Sequence, residues 1–391
     1  MEKKKFNLKN LKNVKLTKGM KVGGRVILSL IVVLVLFLFA AQRLNIATVT
    51  DINDSLRSFM SGLNPGSGYP YKVNSGSIKD ITVLNGDLFI LTGQDTITLD
   101  STAKQVKSTS HTYSSPCMST KGSKAVVYNR NGNRFRIENR TDTLFTGETA
   151  DDEKIITAAM GAKGNLALAT FSDDCASKLI VYSNNYKNVI FSWSCAQDSI
   201  TSVDLADNGR YAAVSVVGAR DGEIYSKVFV FDFDYSEPKA EYEYYGTAIL
   251  AVHFSKNDNV VAIGDNLASF IKGLKNKSDI EYGSSTLVNF AFSEDGYTSI
   301  ALAAHGSTNE QKIICYSSSL SQTFDKDFDK SIKNLFMSNG RITVVLEDQV
   351  CVLKTSGSIV KKYDADNSGI AAFNLGNRTY LYSVGKIEKC K

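Results

Sequence analysis

The chain has 391 residues, 22% charged and 43% hydrophobic, with only four prolines. This composition excludes a disordered chain and a proline-rich linker or stalk. The formal net charge of +5 is unevenly placed: residues 1–25 carry nine Lys/Arg against Glu2 alone, leaving 36 basic and 39 acidic side chains in the other 366. The body is therefore slightly acidic, and no nucleic-acid partner is expected.

After the basic tail (residues 1–25), residues 26–41 read VILSLIVVLVLFLFAA, and no charge falls between Arg25 and Arg43. Seventeen uncharged residues (26–42) reach the short end of what spans a bilayer, and the flanking arginines can snorkel to lengthen it. The excess of basic residues before the span predicts a cytoplasmic N-terminus and an exported body at the cell membrane. A cleaved signal peptide is the alternative, but cleavage after Ala41 would put Phe39 where a small residue is needed. The tail interleaves Phe6, Leu8, Leu11, Val14 and Leu16 with its lysines. It acts as a topology signal, with contact to anionic lipid headgroups as the second option.

Val49, Ile52, Leu56, Phe59 and Leu63 recur at steps of three and four, a helical stripe that ends before Pro65, Gly66 and Gly68. Residues 43–65 are thus expected to form a juxtamembrane helix and linker.

From residue 66 onward short runs rich in Val, Ile, Phe, Tyr and Thr alternate with turn clusters, which reads as an all-β extracytoplasmic body, residues 66–391. Gly86, Gly122, Gly164, Gly209, Asp258, Gly296, Gly340 and Gly376 each sit in a polar turn, at spacings of 36, 42, 45, 49, 38, 44 and 36. Three units align without gaps: residues 203–215 (VDLADNGRYAAVS), 252–264 (VHFSKNDNVVAIG) and 290–302 (FAFSEDGYTSIAL). A period near 40 is that of a β-propeller of four-stranded blades, because one sheet cannot hide both apolar faces alone and a ring of blades covers them all. A solenoid of strands would have shorter repeats. The expected units are 76–110, 111–150, 151–196, 197–245, 246–283, 284–327, 328–365 and 366–391, giving eight blades, with seven as the alternative. The last unit lacks a strand, which residues 69–73 can supply, closing the ring with both ends of the body.

These inner hairpins, FSEDGYTSIAL at residues 292–302 in particular, resemble WD40-like and YVTN-like propeller repeats. The WD and GH pairs of true WD40 blades are absent. The single Trp193 cannot supply the tryptophan-docking motif of quinoprotein blades, so no quinone cofactor is implied. The plan of the chain also resembles an uncharacterised family of Gram-positive single-pass membrane proteins, known only as a domain of unknown function. The resemblance rests on the anchor, GSGYPYKV (66–73), HTYSSP (111–116) and AVVYN (125–129), and it implies no catalytic residue.

No P-loop, GxGxxG, HExxH or GxSxG motif is present. Of the three histidines, His253 aligns with Asp204 and Ala291 and reads as structural. Asp325, Asp327 and Asp329, and Asp364, Asp366, Ser368 and Gly369, have partial calcium-loop spacing. Lys330, Phe336 and Leu375 stand where a glycine and bidentate glutamates are required, so polar turns are expected and no metal or other cofactor. Six cysteines permit disulfides in an exported body, with Cys175 and Cys195 the candidate pair, while Cys315 and Cys351 sit in apolar strands. Phe229, Phe231, Phe233 and Tyr235 alternate along one strand, and Tyr242 and Tyr244 follow between Glu241 and Glu243. These aromatics either pack between blades or form a patch, with Tyr235, Tyr242 and Tyr244 as the partner-binding candidates.

Together these features predict a membrane-anchored, non-catalytic binding or scaffolding module of the cell envelope, with a protein or glycan partner. An enzyme acting on envelope polysaccharide through loop carboxylates such as Asp173, Asp174 or Asp221 is the rival, and a sensor signalling through the anchor is a third reading.

Overall fold

The computed structural model describes residues 65–391 apart from Ser75, together with Ser29 and Val32, both helical. The basic tail, the remainder of the 26–42 span and the 49–63 stripe lie outside the described residues. Among those described, no helix is long and apolar enough to cross a membrane.

Among the described residues, thirty-two strands form eight four-stranded antiparallel sheets. Blades 1 to 7 cover residues 78–110, 116–148, 155–195, 199–245, 249–281, 286–328 and 334–364. Blade 8 takes its three inner strands from residues 369–389 and its outermost strand from Tyr71–Lys72. The ring therefore has eight blades, not seven. Tyr71 lies opposite Ile387 and Lys72 opposite Lys386, so both ends of the body meet in one sheet, as the sequence implies.

Burial explains the ring. Buried apolar side chains gather into eight clusters, one at each junction between neighbouring blades. In the second strand of blade 1, Asp87–Thr92, Phe89 and Leu91 pack toward blade 2 while Leu88 and Ile90 pack toward blade 8. Every residue of that strand is buried because both of its faces are covered. Each such side chain contributes about 1.5–3 kcal/mol relative to exposure.

All eight periodic turn residues have positive φ. Glycine adopts this without cost. Blade 5 manages it with Asn257 (φ 58°) and Asp258 (φ 55°), two of the residue types that tolerate the left-handed region.

Strands alternate in direction, so the turns sort onto two faces. The first-to-second and third-to-fourth turns of every blade make the hairpin face. The second-to-third loops and the connections between blades make the connector face. The chain comes in on the hairpin face. There Gly66 N–H donates to Thr102 Oγ1 at 2.7 Å and Gly68 N–H to Thr102 O at 3.0 Å. A side chain at residue 66 would collide with the backbone of Thr102 and Lys104 at 2.5 Å, so the approach requires glycine.

Candidate functional site

The innermost strands surround a channel of about 930 Å³. In a closed ring, equivalent repeat positions of consecutive blades become neighbours around this channel. Asp204 on Ser199–Leu205 and His253 on Ile249–Phe254 are such a pair, and His253 Nδ1 lies 2.9 Å from Asp204 Oδ2. The imidazole stacks on Phe292 of the next blade, with centroids 4.5 Å apart. Its Nε2 is buried and finds no partner among the described residues.

Inner strands expose an unpaired edge to the channel, and buried N–H and C=O groups need partners. Blade 4 supplies them to blade 5. Phe254 N–H donates to Asp204 Oδ2 (2.8 Å), Val252 N–H donates to Ser202 Oγ (3.2 Å), and Thr201 Oγ1 donates to Ile249 O (3.0 Å). Burial alone would raise the Asp204 pKa; His253, Lys121 and the Phe254 N–H outweigh it and hold the carboxyl below its usual range.

Polar contacts cross the mouth of the channel on the hairpin face. Lys121 Nζ in the blade 2 turn reaches Asp207 of blade 4 (3.1 Å), which also pairs with Lys256 of blade 5 (2.6 Å). Burial would lower the Lys121 pKa, but Asp204, Asp207 and Glu294 hold it above the usual lysine range. Asp80 of blade 1 is exposed to the lumen, but the ring packed around it thins its hydration. That desolvation pushes its carboxyl up to about 6, partly countered by the Ile81 N–H at 2.8 Å.

The connector face differs. Of thirteen exposed large apolar side chains on the propeller, eight stand at this face or its margin, among them Phe171, Leu250, Val288, Ile370 and Val384 (81% exposed). In six blades the innermost strand begins with a register shift, around residues 79, 156, 201, 250, 288 and 370. Leu250, Val288 and Ile370 are residues at such bulges, which re-aim a side chain out of the ladder.

The tyrosine candidates separate. Tyr235 is exposed in a hairpin-face turn of blade 4. Tyr242 is half-buried against the cluster between blades 4 and 5. Tyr244 is 3% exposed, donates to Ser269 Oγ at 2.8 Å and carries Lys277 Nζ over its ring, so it presents no surface to a partner. Its strand is covered by blade 5, and side chains on that face are core. Phe229, Phe231 and Phe233 face the other way, against Phe191 and Trp193 of blade 3.

Asp173 and Asp174 lie in the second-to-third loop of blade 3. Asp221 tips a long hairpin of blade 4, with strands Tyr211–Arg220 and Glu223–Asp232. All three belong to the connector face and none lines the channel, so the structure does not bring them to Asp204 and His253. Among the described residues no cluster of His, Cys, Asp or Glu could hold a metal. Asp325 and Asp327 face Lys312, and Asp366 closes a turn onto Ser368. Cys175 and Cys195 do not pair: all six cysteines are free thiols. Cys195 is buried opposite Ser177, and Cys175 donates to Ser177 O at 3.2 Å. The alignment that set His253 level with Asp204 held the signal for their contact, but alignment alone does not show that level positions touch.

The model of a family of unknown function (DUF5711) matches residues 70–391. No curated protein matches the chain. Among solved structures, the chain is similar to Sqt1 of Chaetomium thermophilum bound to the N-terminus of ribosomal protein L10 (11% identity, TM-score 0.57, 82% of this chain and 98% of that one). It is also similar to the C-terminal WD40 domain of Sif2 (14%, 0.55, 82% and 99%) and to a chain of the mitotic checkpoint complex (14%, 0.51, 76% and 91%). At these identities the likeness is one of fold.

Proposed function

The chain belongs to DUF5711, a family of unknown function, and from that premise we propose that it is a membrane-anchored, extracytoplasmic propeller that binds a protein partner as a scaffold of the cell envelope. One observation carries the reading. The incoming chain is pinned to the hairpin face at Thr102, while eight of the thirteen exposed large apolar side chains of the propeller stand at the opposite, connector face or its margin. An excess of exposed apolar side chains on one face favours that face for an interaction. The basic tail and the 26–42 span support export of the body. Sqt1, of like fold, is bound to a peptide N-terminus in its structure, which supports a protein rather than a glycan partner.

The test has two arms. Protease added to intact, wall-stripped cells should remove the body. A photo-crosslinker at Val384 or Ile370 should give a discrete protein adduct, and one at Ile359, on the hairpin-face margin, should not. A body protected until lysis overturns the topology, and adducts that ignore position overturn the docking face.

One feature favours a second reading. His253 Nε2, free in the channel wall and backed by Asp204, is the arrangement of a general base. Chemistry on an envelope substrate would therefore centre there rather than at Asp173, Asp174 or Asp221.

A further inference from the structure

The backbones of neighbouring blades approach least closely between blades 5 and 6. The side chains on the inner strands differ between the junctions. Blades 3 and 4 meet on their inner two strands through Ala159, Ala167, Ala169 and Ala212, which allow close approach, and their aromatic rings Phe191, Trp193, Phe229 and Phe231 lie on the outer two strands. Blades 5 and 6 meet on their second strands through the larger Val261, Ile263, Ile300 and Leu302, with Phe270 and Tyr316 centroids 4.3 Å apart on the third strands. That pair fills the hairpin end of the junction. Toward the connector face a cleft of about 790 Å³ remains.

The cleft is amphiphilic. Ile280, Ile300, Leu302, Ile314 and Tyr316 give it an apolar lining. Glu281, Glu310, Asp327 and Asp329 stand around it against one cation, Lys312, which is itself 3.8 Å from Asp327 and 3.9 Å from Asp325. Tyr282 forms part of the wall. It is 8% exposed, and its hydroxyl finds no partner among the described residues. Burial pushes that hydroxyl pKa up, so it stays a neutral donor.

We propose that this cleft docks a polypeptide segment bearing large apolar side chains next to lysine or arginine. The volume falls in the ~300–1,000 Å³ range of ligand sites, which suits more than one side chain. The ring of carboxylates selects a basic flank and disfavours an acidic one. The proposal rests on the reading of the connector face as the docking face, and it adds the chemistry of what docks.

The test uses the full-length chain in zwitterionic detergent and an end-blocked, fluorescein-labelled hexapeptide alternating leucine and lysine, read by polarisation. Saturable binding is expected, and none for the leucine–glutamate counterpart. Two variants address the cleft separately: Glu310→Lys with Asp329→Lys reverses charge at exposed positions, and Ser285→Trp fills the space. Each should weaken binding by about tenfold or more at an unchanged melting temperature. If one variant unfolds, the other decides. Equal affinity in parent and folded variants, equal binding of the acidic peptide, or no saturable binding overturns the proposal. Loss of peptide binding while crosslinking from Val384 persists removes the cleft and leaves the docking face standing. Loss of crosslinking with cleft-dependent binding intact does the reverse.

Discussion

Gly122 N–H donates to Glu294 Oε1 at 3.0 Å across 172 residues of sequence. Blade 2 and blade 6 stand on opposite sides of an eight-bladed ring, so this bond bridges the channel mouth. Its acceptor is a side chain on an exposed turn, and exposed contacts of this kind contribute about 1 kcal/mol or less. Glu294→Ala should therefore leave the melting temperature almost unchanged while speeding amide exchange at Gly122. An unchanged exchange rate would show that the bond does not close the mouth in solution.

Asp204 has a larger stake in stability. It is buried and accepts from His253 and from the Phe254 N–H. His253→Ala removes one partner from a buried carboxylate and should cost about 2–3 kcal/mol in urea unfolding. The Asp204 pKa is depressed on folding. Its contribution is accordingly present above the unfolded value and lost as pH falls through the folded one. Asp204→Asn should flatten the acid limb of the stability profile.

Asp80 works in the opposite sense. Its carboxyl is raised from 3.8 to about 6. Between those values the native state binds the proton more tightly than the unfolded state, so stability falls as pH rises through that window. Asp80→Asn should gain stability at pH 7.5 relative to the parent and lose most of that gain at pH 4. A gain that is the same at both pH values would show that solvation in the lumen suppresses the shift.

Tyr244 tests packing directly. With its ring 3% exposed and its hydroxyl bonded to Ser269, Tyr244→Ala should cost about 3–5 kcal/mol. The exposed Tyr235→Ala should shift stability by no more than about 0.5 kcal/mol. Parallel denaturant titrations of the two variants decide the matter.

Ring closure predicts unequal truncations. Deleting residues 66–75 removes the outer strand of blade 8 and should lower the stability of the whole propeller in one cooperative transition. Deleting residues 49–63 should not. Equal melting of both with the parent would rule out closure through Tyr71–Lys72.

The blade plan was legible because the turns impose a local requirement. A positive φ must recur once per hairpin, and Gly86, Gly122 and their successors mark it in sequence. The missing strand of the last unit pointed to residues 69–73 for the same reason: every sheet needs four strands. The contact of His253 with Asp204 was half legible, as two level positions in an alignment. The bulges at Leu250, Val288 and Ile370 were not, since a one-residue register shift leaves no mark on composition. Nor was the cleft between blades 5 and 6. It depends on which aromatic ring meets which, here Phe270 and Tyr316, and such pairings follow from three-dimensional packing. Alternation in the Tyr242 and Tyr244 strand showed two faces but could not tell which was covered.

The attachment at Thr102 has a mechanical consequence. Tyr71–Lys72 joins blade 8 through two ladder pairs and the adjoining Val73 N–H bond to Gly385 O, a short seam for tension from the N-terminal side to act on. Gly66 and Gly68 are fastened to the blade 1 loop upstream of that seam, with Tyr69 adding a hydroxyl bond to Asp100 O at 3.1 Å. A pull on the chain before residue 65 is thus taken up by blade 1 before it reaches the closing strand. The clasp works as a strain relief on a cable.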